Sequence, residues 1–356
     1  MALELMRGNE AIAEGAIRAG CRFYTGYPIT PQNELFEYMA KRMPQVEGVF
    51  LQCESEVAGI NMIWGAACTG TRAMTSSSGP GVSLMSEGIT SLAAGELPCV
   101  IVNVSRAGPG LGRIAPSQSD YLQATKGGGH GDYHAIVLGP SSTQEMAELS
   151  TLAFHLADLY RTPVIILMDG MLGQMMEPVD FDRVKSLPVP EKPWALRGKG
   201  EGPRKMVYAA PFDDPGLIQL NQELAEKYRR IEENEQRWEE VHMEGAEVVV
   251  LAFGSSARVA LDAVQAARSE GWRVGLLRPI TLWPFPRKAF ANLRNTVRAF
   301  LDVEMNSGQM QEDLERIIGP DLPIRHLGQG GGKIIYPDEV YEEIKSLAES
   351  SARGKI

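Results

Sequence analysis

Short apolar runs alternate with stretches whose apolar residues recur at helical spacing along most of the chain. Runs at 22–25, 49–52, 72–75, 99–104, 135–138 and 164–168 predict strands. Residues 8–20, 31–42, 55–69, 82–93 and 142–160 predict the helices between them. The second of these presents Leu35, Phe36 and Met39 on one side, and the last opens with the capping-box pattern Ser142-Thr143-Gln144-Glu145. Residues 99–104 are apolar almost throughout, as in strands buried on both faces. This alternation predicts an α/β fold with a parallel sheet covered by helices on both sides.

The pattern changes between 178 and 216, where Pro178, Pro188, Pro190, Pro193, Pro203, Pro211 and Pro215 interrupt any periodicity. A surface linker is expected there. Asp214-Pro215 then reads as an N-cap with proline in the first turn. Leu217, Leu220, Leu224, Tyr228, Ile231, Trp238 and Val241 form one apolar stripe, predicting a docked helix. A second alternation starts at Glu247, with strands expected at 248–253, 273–277, 297–303 and 324–327. Its helices are expected at 256–270, 286–294, 310–318 and 338–350. The organisation is therefore a domain over 1–180, a linker with docking helix over 181–245, and a second parallel-sheet domain over 246–356.

Composition narrows the function classes. The chain has 356 residues, 44% hydrophobic and 22% charged, which suits two soluble domains. A net charge of −10 without a basic cluster gives nucleic acid nothing to bind. No apolar stretch approaches the ~20 residues of a membrane span. Cys21, Cys53, Cys68 and Cys99 lie apart with no Cys-x-x-Cys, so no iron–sulfur or zinc site is expected on this chain. Isolated thiols and an N-terminus without a signal core read as cytoplasmic.

Four constellations follow predicted strands, the edge where open α/β sheets bind ligands. Gly26-Tyr27-Pro28-Ile29-Thr30-Pro31 offers one hydroxyl on a proline-stiffened loop; it also fits a turn with Thr30 as N-cap. Glu54-Ser55-Glu56 places carboxylates in a first helical turn, which the helix dipole alone favours. The apolar Val57–Ile60 segment after it turns one glutamate inward, as proton chemistry needs. Thr75 to Gly81 is a small-residue turn that lets backbone approach a ligand, or is simply a tight connection. The loop from Ser105 to Asp132 is glycine-rich and long, and Arg106 at its start either pairs with an acid or waits for an anion. His130 and His134 are four residues apart, but the glycines beside them disfavour a helix and no third ligand is near, so no metal is expected. The run Gly328–Lys333 lacks the spacing of a phosphate loop, and no dinucleotide fingerprint is present. The methionines between 168 and 176 read as core or interface filler.

Together, Tyr27-Pro28-Ile29-Thr30-Pro31, Ser55-Glu56 with Gly65-Ala66, Ser78-Gly79-Pro80-Gly81 and Ser105-Arg106 resemble the α subunit of the 2-oxoacid:ferredoxin oxidoreductases. Phe253-Gly254-Ser255 and the block Leu277-Arg278-Pro279-Ile280-Thr281-Leu282-Trp283-Pro284-Phe285-Pro286 resemble that family's transketolase C-terminal-like domain. The resemblance spans nearly the whole chain and is nearest to the branched-chain (3-methyl-2-oxobutanoate) type. It implies two parallel-sheet domains, a pyrimidine-type thiamine-diphosphate-binding fold followed by the transketolase C-terminal-like one. It implies a cytoplasmic catalytic subunit that oxidatively decarboxylates a branched-chain 2-oxo acid to acyl-CoA and CO2, with electrons passing to ferredoxin. The same reaction on 2-oxoglutarate or pyruvate, and a non-catalytic scaffold subunit, remain the alternatives.

The resemblance further implies thiamine diphosphate shared between chains, a partner β subunit holding the diphosphate and Mg2+. Iron–sulfur clusters would reside on partners only, a γ subunit and a ferredoxin-like subunit or domain completing the complex. Asp169-Gly170, the only Asp-Gly here, lacks the preceding Gly-Asp-Gly of a metal–diphosphate half. Glu56 would accept a hydrogen bond from N1′ of the aminopyrimidine and favour its imino tautomer. Thr30 would hold the substrate carboxylate or ketone oxygen, and Arg106 would neutralise the carboxylate. Tyr27, Pro28, Ile29, Ser77, Ser78 and Gly79 would lie against the cofactor. Ser117, Gln118, Lys126, His130 and Asp132 would line the substrate end, where Lys126 or Arg113 could take a distal carboxylate.

Overall fold

A computed structural model describes residues 3–200, 204–211, 213–291, 293 and 296–352. Among them, the first sheet runs in the order Thr281–Trp283, Ile136–Leu138, Pro163–Asp169, Cys99–Ala107, Ala73–Ser77, Phe23–Gly26, Val49–Gln52. All neighbours are parallel except the first pair. Cys99–Ala107 is buried at every position because it lies mid-sheet with helices on both faces. The predicted strands and helices of this half are present, with ends shifted by one to three residues. The helix expected from 31 begins at Asn33, with Gln32 at its N-cap position. Ser142 caps Thr143–Tyr160 by accepting from the Glu145 amide at 3.2 Å. The Glu145 carboxylate accepts from Ser141 and from Arg278, whose guanidinium also reaches Glu239.

The second sheet runs Trp238–Val241, Val274–Pro279, Val248–Ala252, Ala299–Val303, Ile324–Leu327. It is parallel except for Trp238–Val241, which pairs antiparallel with Val274–Pro279. Period-two alternation assigns its faces. Val248, Val250 and Ala252 pack with the helices Gly254–Ser269 and Pro337–Ala352. Val249, Leu251 and Phe253 point the other way and join the core of the first sheet. The two halves thus share one continuous apolar core.

Three expectations are corrected. The apolar stripe is not a single helix: Asp214–Asn234 is helical with Asp213 as its cap, whereas Trp238 and Val241 belong to the edge strand of the second sheet. The helix ends before 235–237, and Trp238 and Val241, three apart in a strand, face opposite sides, Trp238 on the shared core and Val241 on the second sheet's other core. The helix expected over 286–294 is a 3-10 turn, Arg287–Phe290; residues 292 and 294 of that span lie outside the described residues. The block 277–286 ends one sheet and then crosses to the other, where Thr281–Trp283 forms the edge strand. Glu4–Arg7 with Met176–Val179, and Arg113–Pro116 folded back on Cys99–Ala107, are short pairings that no periodicity announced.

Candidate active site

The strands Phe23–Gly26, Ala73–Ser77 and Cys99–Ala107 are sheet neighbours, so the segments after them converge at one edge. Glu56 opens the helix Glu56–Cys68, behind Ser55, whose hydroxyl accepts from the Ala58 amide at 3.3 Å. Of the two glutamates, Glu54 is exposed and Glu56 is buried. Ser77 Oγ donates to Glu56 Oε1 at 3.1 Å. A Cβ on Gly81 would stand 2.1 Å from Ser77 Oγ and 2.2 Å from Glu56 Oε1, so only glycine admits this approach. Gly79 has φ +38°, and a Cβ there would lie 3.6 Å from Arg106 Cγ. The turn 79–81 is thus wedged between Glu56 and Arg106.

Among the described residues Arg106 pairs with no acid. Its Nη1 donates to Thr30 O at 2.9 Å and its Nη2 to Leu111 O at 2.7 Å. One guanidinium therefore ties the Thr30 loop to the hairpin tip after Ala107. The Thr30 hydroxyl does not cap the following helix; its Oγ1 accepts from Asn33 Nδ2 at 3.1 Å, which leaves its proton for another acceptor.

Two residues that sequence reasoning passed over set the shape of this edge. Gln32 is fully buried, accepts from Ser76 Oγ at 2.6 Å and donates to Tyr27 O at 3.3 Å. Tyr24 Oη lies 2.6 Å from Ser76 Oγ, and burial pushes its phenol far up, so it stays a neutral donor. The signal was available: Tyr24 and Ser76 are hydroxyls inside buried strands. Farther along the edge, Asn103 donates to Asp120 Oδ2 at 3.1 Å; burial raises the Asp120 pKa against Asn103, Ser105 and Arg106, which lower it.

Three buried polar atoms here, Ser78 Oγ, Asn103 Oδ1 and Arg106 Nε, have no hydrogen-bond partner among the described residues. Buried polar groups are nearly always paired, so this cluster marks where a ligand's polar atoms belong. Cavity volume does not find the place. A cavity of about 650 Å³ opens at the opposite end of the sheet between Gly20, Gly70 and residues 189–193. Its Arg72 and Lys192 are already bonded to Asp158.

The remaining candidates lie elsewhere. Tyr27 and Pro28 are exposed, and Ile29 and Thr30 half-buried, at the rim of the same edge. Ser117 and Gln118 are buried where the two halves meet: Ser117 Oγ donates to Met305 O at 3.3 Å and Gln118 Nε2 to Phe253 O at 2.8 Å. Gln118 Oε1 accepts from Ser256 Oγ at 2.7 Å and from Met305 N at 2.9 Å, so its side chain is spent on the contact between halves. Lys126 is ion-paired with Asp313, which also accepts from Tyr121 at 2.7 Å. His130 and Asp132 are exposed and line a groove with Thr90, Leu217 and Leu220. The fold brings together Glu56, Ser77, Ser78, Gly79, Thr30 and Arg106, and sends Gln118, Lys126, His130 and Asp132 to other contacts.

Comparison with known proteins follows this geometry. The family described as pyruvate flavodoxin/ferredoxin oxidoreductase, thiamine diphosphate-binding, matches residues 14–242, and pyruvate:ferredoxin oxidoreductase core domain II matches 246–340. The chain is 49% identical to the ketoisovalerate oxidoreductase subunit VorB of Methanothermobacter thermautotrophicus, over 99% of this chain and 100% of the relative. It is 35% identical to the 2-oxoglutarate synthase subunit KorA of Methanocaldococcus jannaschii, over 96% and 98%. The solved 2-oxoglutarate:ferredoxin oxidoreductase of Magnetococcus marinus superposes with a TM-score of 0.83 at 28% identity. That match covers 97% of this chain but 65% of the solved one.

Proposed function

The chain belongs to the thiamine-diphosphate-dependent 2-oxoacid:ferredoxin oxidoreductase family, and on that premise we propose that it is the subunit contributing the proton-handling carboxylate for oxidative decarboxylation of a branched-chain 2-oxo acid. The observation that carries the proposal is Glu56, buried, held by Ser77 and admitted by Gly81. The residues present fit the aminopyrimidine end of thiamine diphosphate: a buried carboxylate, a glycine cradle, and the unpartnered Ser78 Oγ and Arg106 Nε. When bound, that cofactor supplies the electron sink that lets a 2-oxo acid lose CO2.

Each side chain then has a task. Glu56 accepts a hydrogen bond from the N1′ position and holds a proton there; a glutamine would bond but would not balance the charge. Thr30 donates its free hydroxyl proton to a substrate oxygen. Arg106 holds the Thr30 loop in place and offers its remaining Nε–H toward the site. Tyr27, Pro28, Ile29, Ser77, Ser78 and Gly79 wall the ring.

The diphosphate and its Mg2+ are assigned to a partner β subunit. The Asp169 carboxylate, the one aspartate preceding a glycine, is buried and already accepts from Met171 N, Leu172 N and Ser255 N at 3.0, 3.1 and 3.3 Å. The partner's docking place is the exposed apolar surface of Val49, Leu51, Val57 and Leu84, on the strand and helices around Glu56. Val49–Gln52 is a free sheet edge there. A γ subunit, a ferredoxin-like component, ferredoxin and coenzyme A complete the proposed set of partners. The substrate assignment rests on the closer likeness to the ketoisovalerate than to the 2-oxoglutarate relative, and Lys126, bound to Asp313, is not free for a distal carboxylate.

The test is viologen reduction by the complex purified without air, with coenzyme A and a panel of 2-oxo acids. Turnover is expected to be fastest with 3-methyl-2-oxobutanoate, and Glu56→Gln to lower it by about 10²–10⁴-fold in a complex that still assembles. Full turnover by Glu56→Gln removes the catalytic reading; fastest turnover with 2-oxoglutarate or pyruvate replaces the substrate.

A further inference from the structure

Three side chains of metal-ligating type converge at the C-terminal edge of the second sheet, outside the site above. Asp302 lies near the end of Ala299–Val303, Glu304 just follows it, and His326 sits in Ile324–Leu327. The parallel register sets Asp302 directly beside His326. One ligand atom from each lies within 4.8 Å of the others. Both carboxyls are fully buried, and the imidazole is mostly so.

The hydrogen bonds at this place do not close. His326 Nε2 stands 3.1 Å from Asn306 O, which only accepts, so Nε2 carries the proton. Nδ1 lies 2.7 Å from Asp302 Oδ2, so a proton or a metal ion stands between them. The other oxygen, Oδ1, is buried and receives no hydrogen bond. Glu304 accepts from Met310 N at 2.8 Å, Gln311 N at 3.1 Å and Asn306 Nδ2 at 2.7 Å, the surroundings of an ionised carboxylate. Among the described residues no lysine or arginine pairs with either acid. Carboxyls and an imidazole facing one another in a buried place need protons or a metal ion between them, because an uncompensated buried charge is strongly unfavourable.

We infer that Asp302, Glu304 and His326 bind a divalent first-row metal ion of the zinc or manganese kind. Two carboxylate oxygens and an imidazole nitrogen are a donor set such ions take, and a dication neutralises the two acids. The Nε2–H bond to a backbone carbonyl is the usual outer support of a ligating histidine. The glycine run after Leu327, which matches no phosphate loop, has a role here. A Cβ on Gly328 would fall 1.9 Å from Glu304 O and 2.9 Å from His326 Nε2, so glycine lets the chain close over the cluster.

The ion would act on structure. It would anchor segment 304–310, which carries the contact to the first half. Asn306 Nδ2 donates to Gln118 O at 2.9 Å, Gln309 Nε2 to Ser119 O at 2.8 Å, and Leu122 N to Gln309 Oε1 at 2.9 Å. The inference does not depend on the reaction proposed above.

The test uses the full chain purified without partners, treated with chelator and dialysed against Zn2+, Mn2+ or Co2+. About one equivalent of metal per chain is expected, with a raised thermal midpoint, and both are expected to be lost in Asp302→Asn and His326→Gln. Co2+ should give ligand-field bands without thiolate charge transfer. No retained metal, equal retention by the variants, or a thiolate spectrum on the wild-type chain overturns the inference and leaves shared protons to neutralise the cluster.

Discussion

Gly81 decides whether Glu56 can stand where it does. The Gly81→Ala methyl would need the space of Ser77 Oγ and Glu56 Oε1, both fixed in buried elements. Displacing a reacting group by a fraction of its own width costs about 100-fold, so Gly81→Ala should lower viologen reduction to that degree while far-ultraviolet circular dichroism is unchanged. Arg106 makes a different point. Lysine keeps the charge but not the fork, and cannot hold Thr30 O and Leu111 O together. Arg106→Lys should therefore lower kcat/KM for the 2-oxo acid by at least about tenfold, with the KM for coenzyme A unmoved; equal effects on both would place the arginine outside the 2-oxo acid site. At this scale the residues around Glu56 were legible because helix and strand ends place short segments predictably. Gln32 was not, because nothing local says that a glutamine after Thr-Pro will turn into the core.

At the scale of elements, the segment from Ser117 to Lys126 is the largest departure from expectation. The family resemblance implied a substrate wall there. The segment instead fills the C-terminal edge of the second sheet, with Gln118 bonded to Phe253, Ser256 and Met305. Gln118→Ala leaves a buried carbonyl and a buried amide unpaired, and should cost about 1–3 kcal/mol in urea denaturation. A change in urea midpoint below the error of the fit would show that these bonds do not hold the halves together. The crossing block 277–286 carries the same lesson. Its sequence is distinctive, yet only the three-dimensional pairing shows that Thr281–Trp283 closes the edge of a sheet built from the other half of the chain.

At the scale of the whole molecule, one core runs under both sheets, so the halves should unfold as one unit. A single transition by fluorescence and circular dichroism is expected, and two separated transitions would contradict it. Asp169 bears on the pH dependence of that transition. Burial raises its carboxyl above the usual range against the amides of Leu172, Ser255 and Met171, which lower it. The folded state therefore binds more protons than the unfolded one. Its contribution is full below the unfolded carboxylate pKa and is lost as pH rises through the raised folded value. Asp169→Asn, which keeps an oxygen for Met171 N and Leu172 N but sets its Nδ2 against Ser255 N, should lower the midpoint and flatten its fall with rising pH; an unchanged slope would assign the dependence to other groups.

The order of strands and helices, the two-part α/β architecture and the convergence of Thr30, Glu56, the 77–81 turn and Arg106 on one sheet edge were determined by the sequence alone. Hydrophobic periodicity and turn residues act over a few positions, and a parallel sheet collects its loops at one end. Tertiary structure alone decided which long-range partner each polar side chain found: Arg106 with two carbonyls, Lys126 with Asp313, Gln118 with the second sheet, and Asp302 with His326. Apart from Leu111, five residues from Arg106, those partners lie 24 to 187 residues away, and they are set by the pressure to satisfy buried donors and acceptors, a condition on the whole fold rather than on any segment.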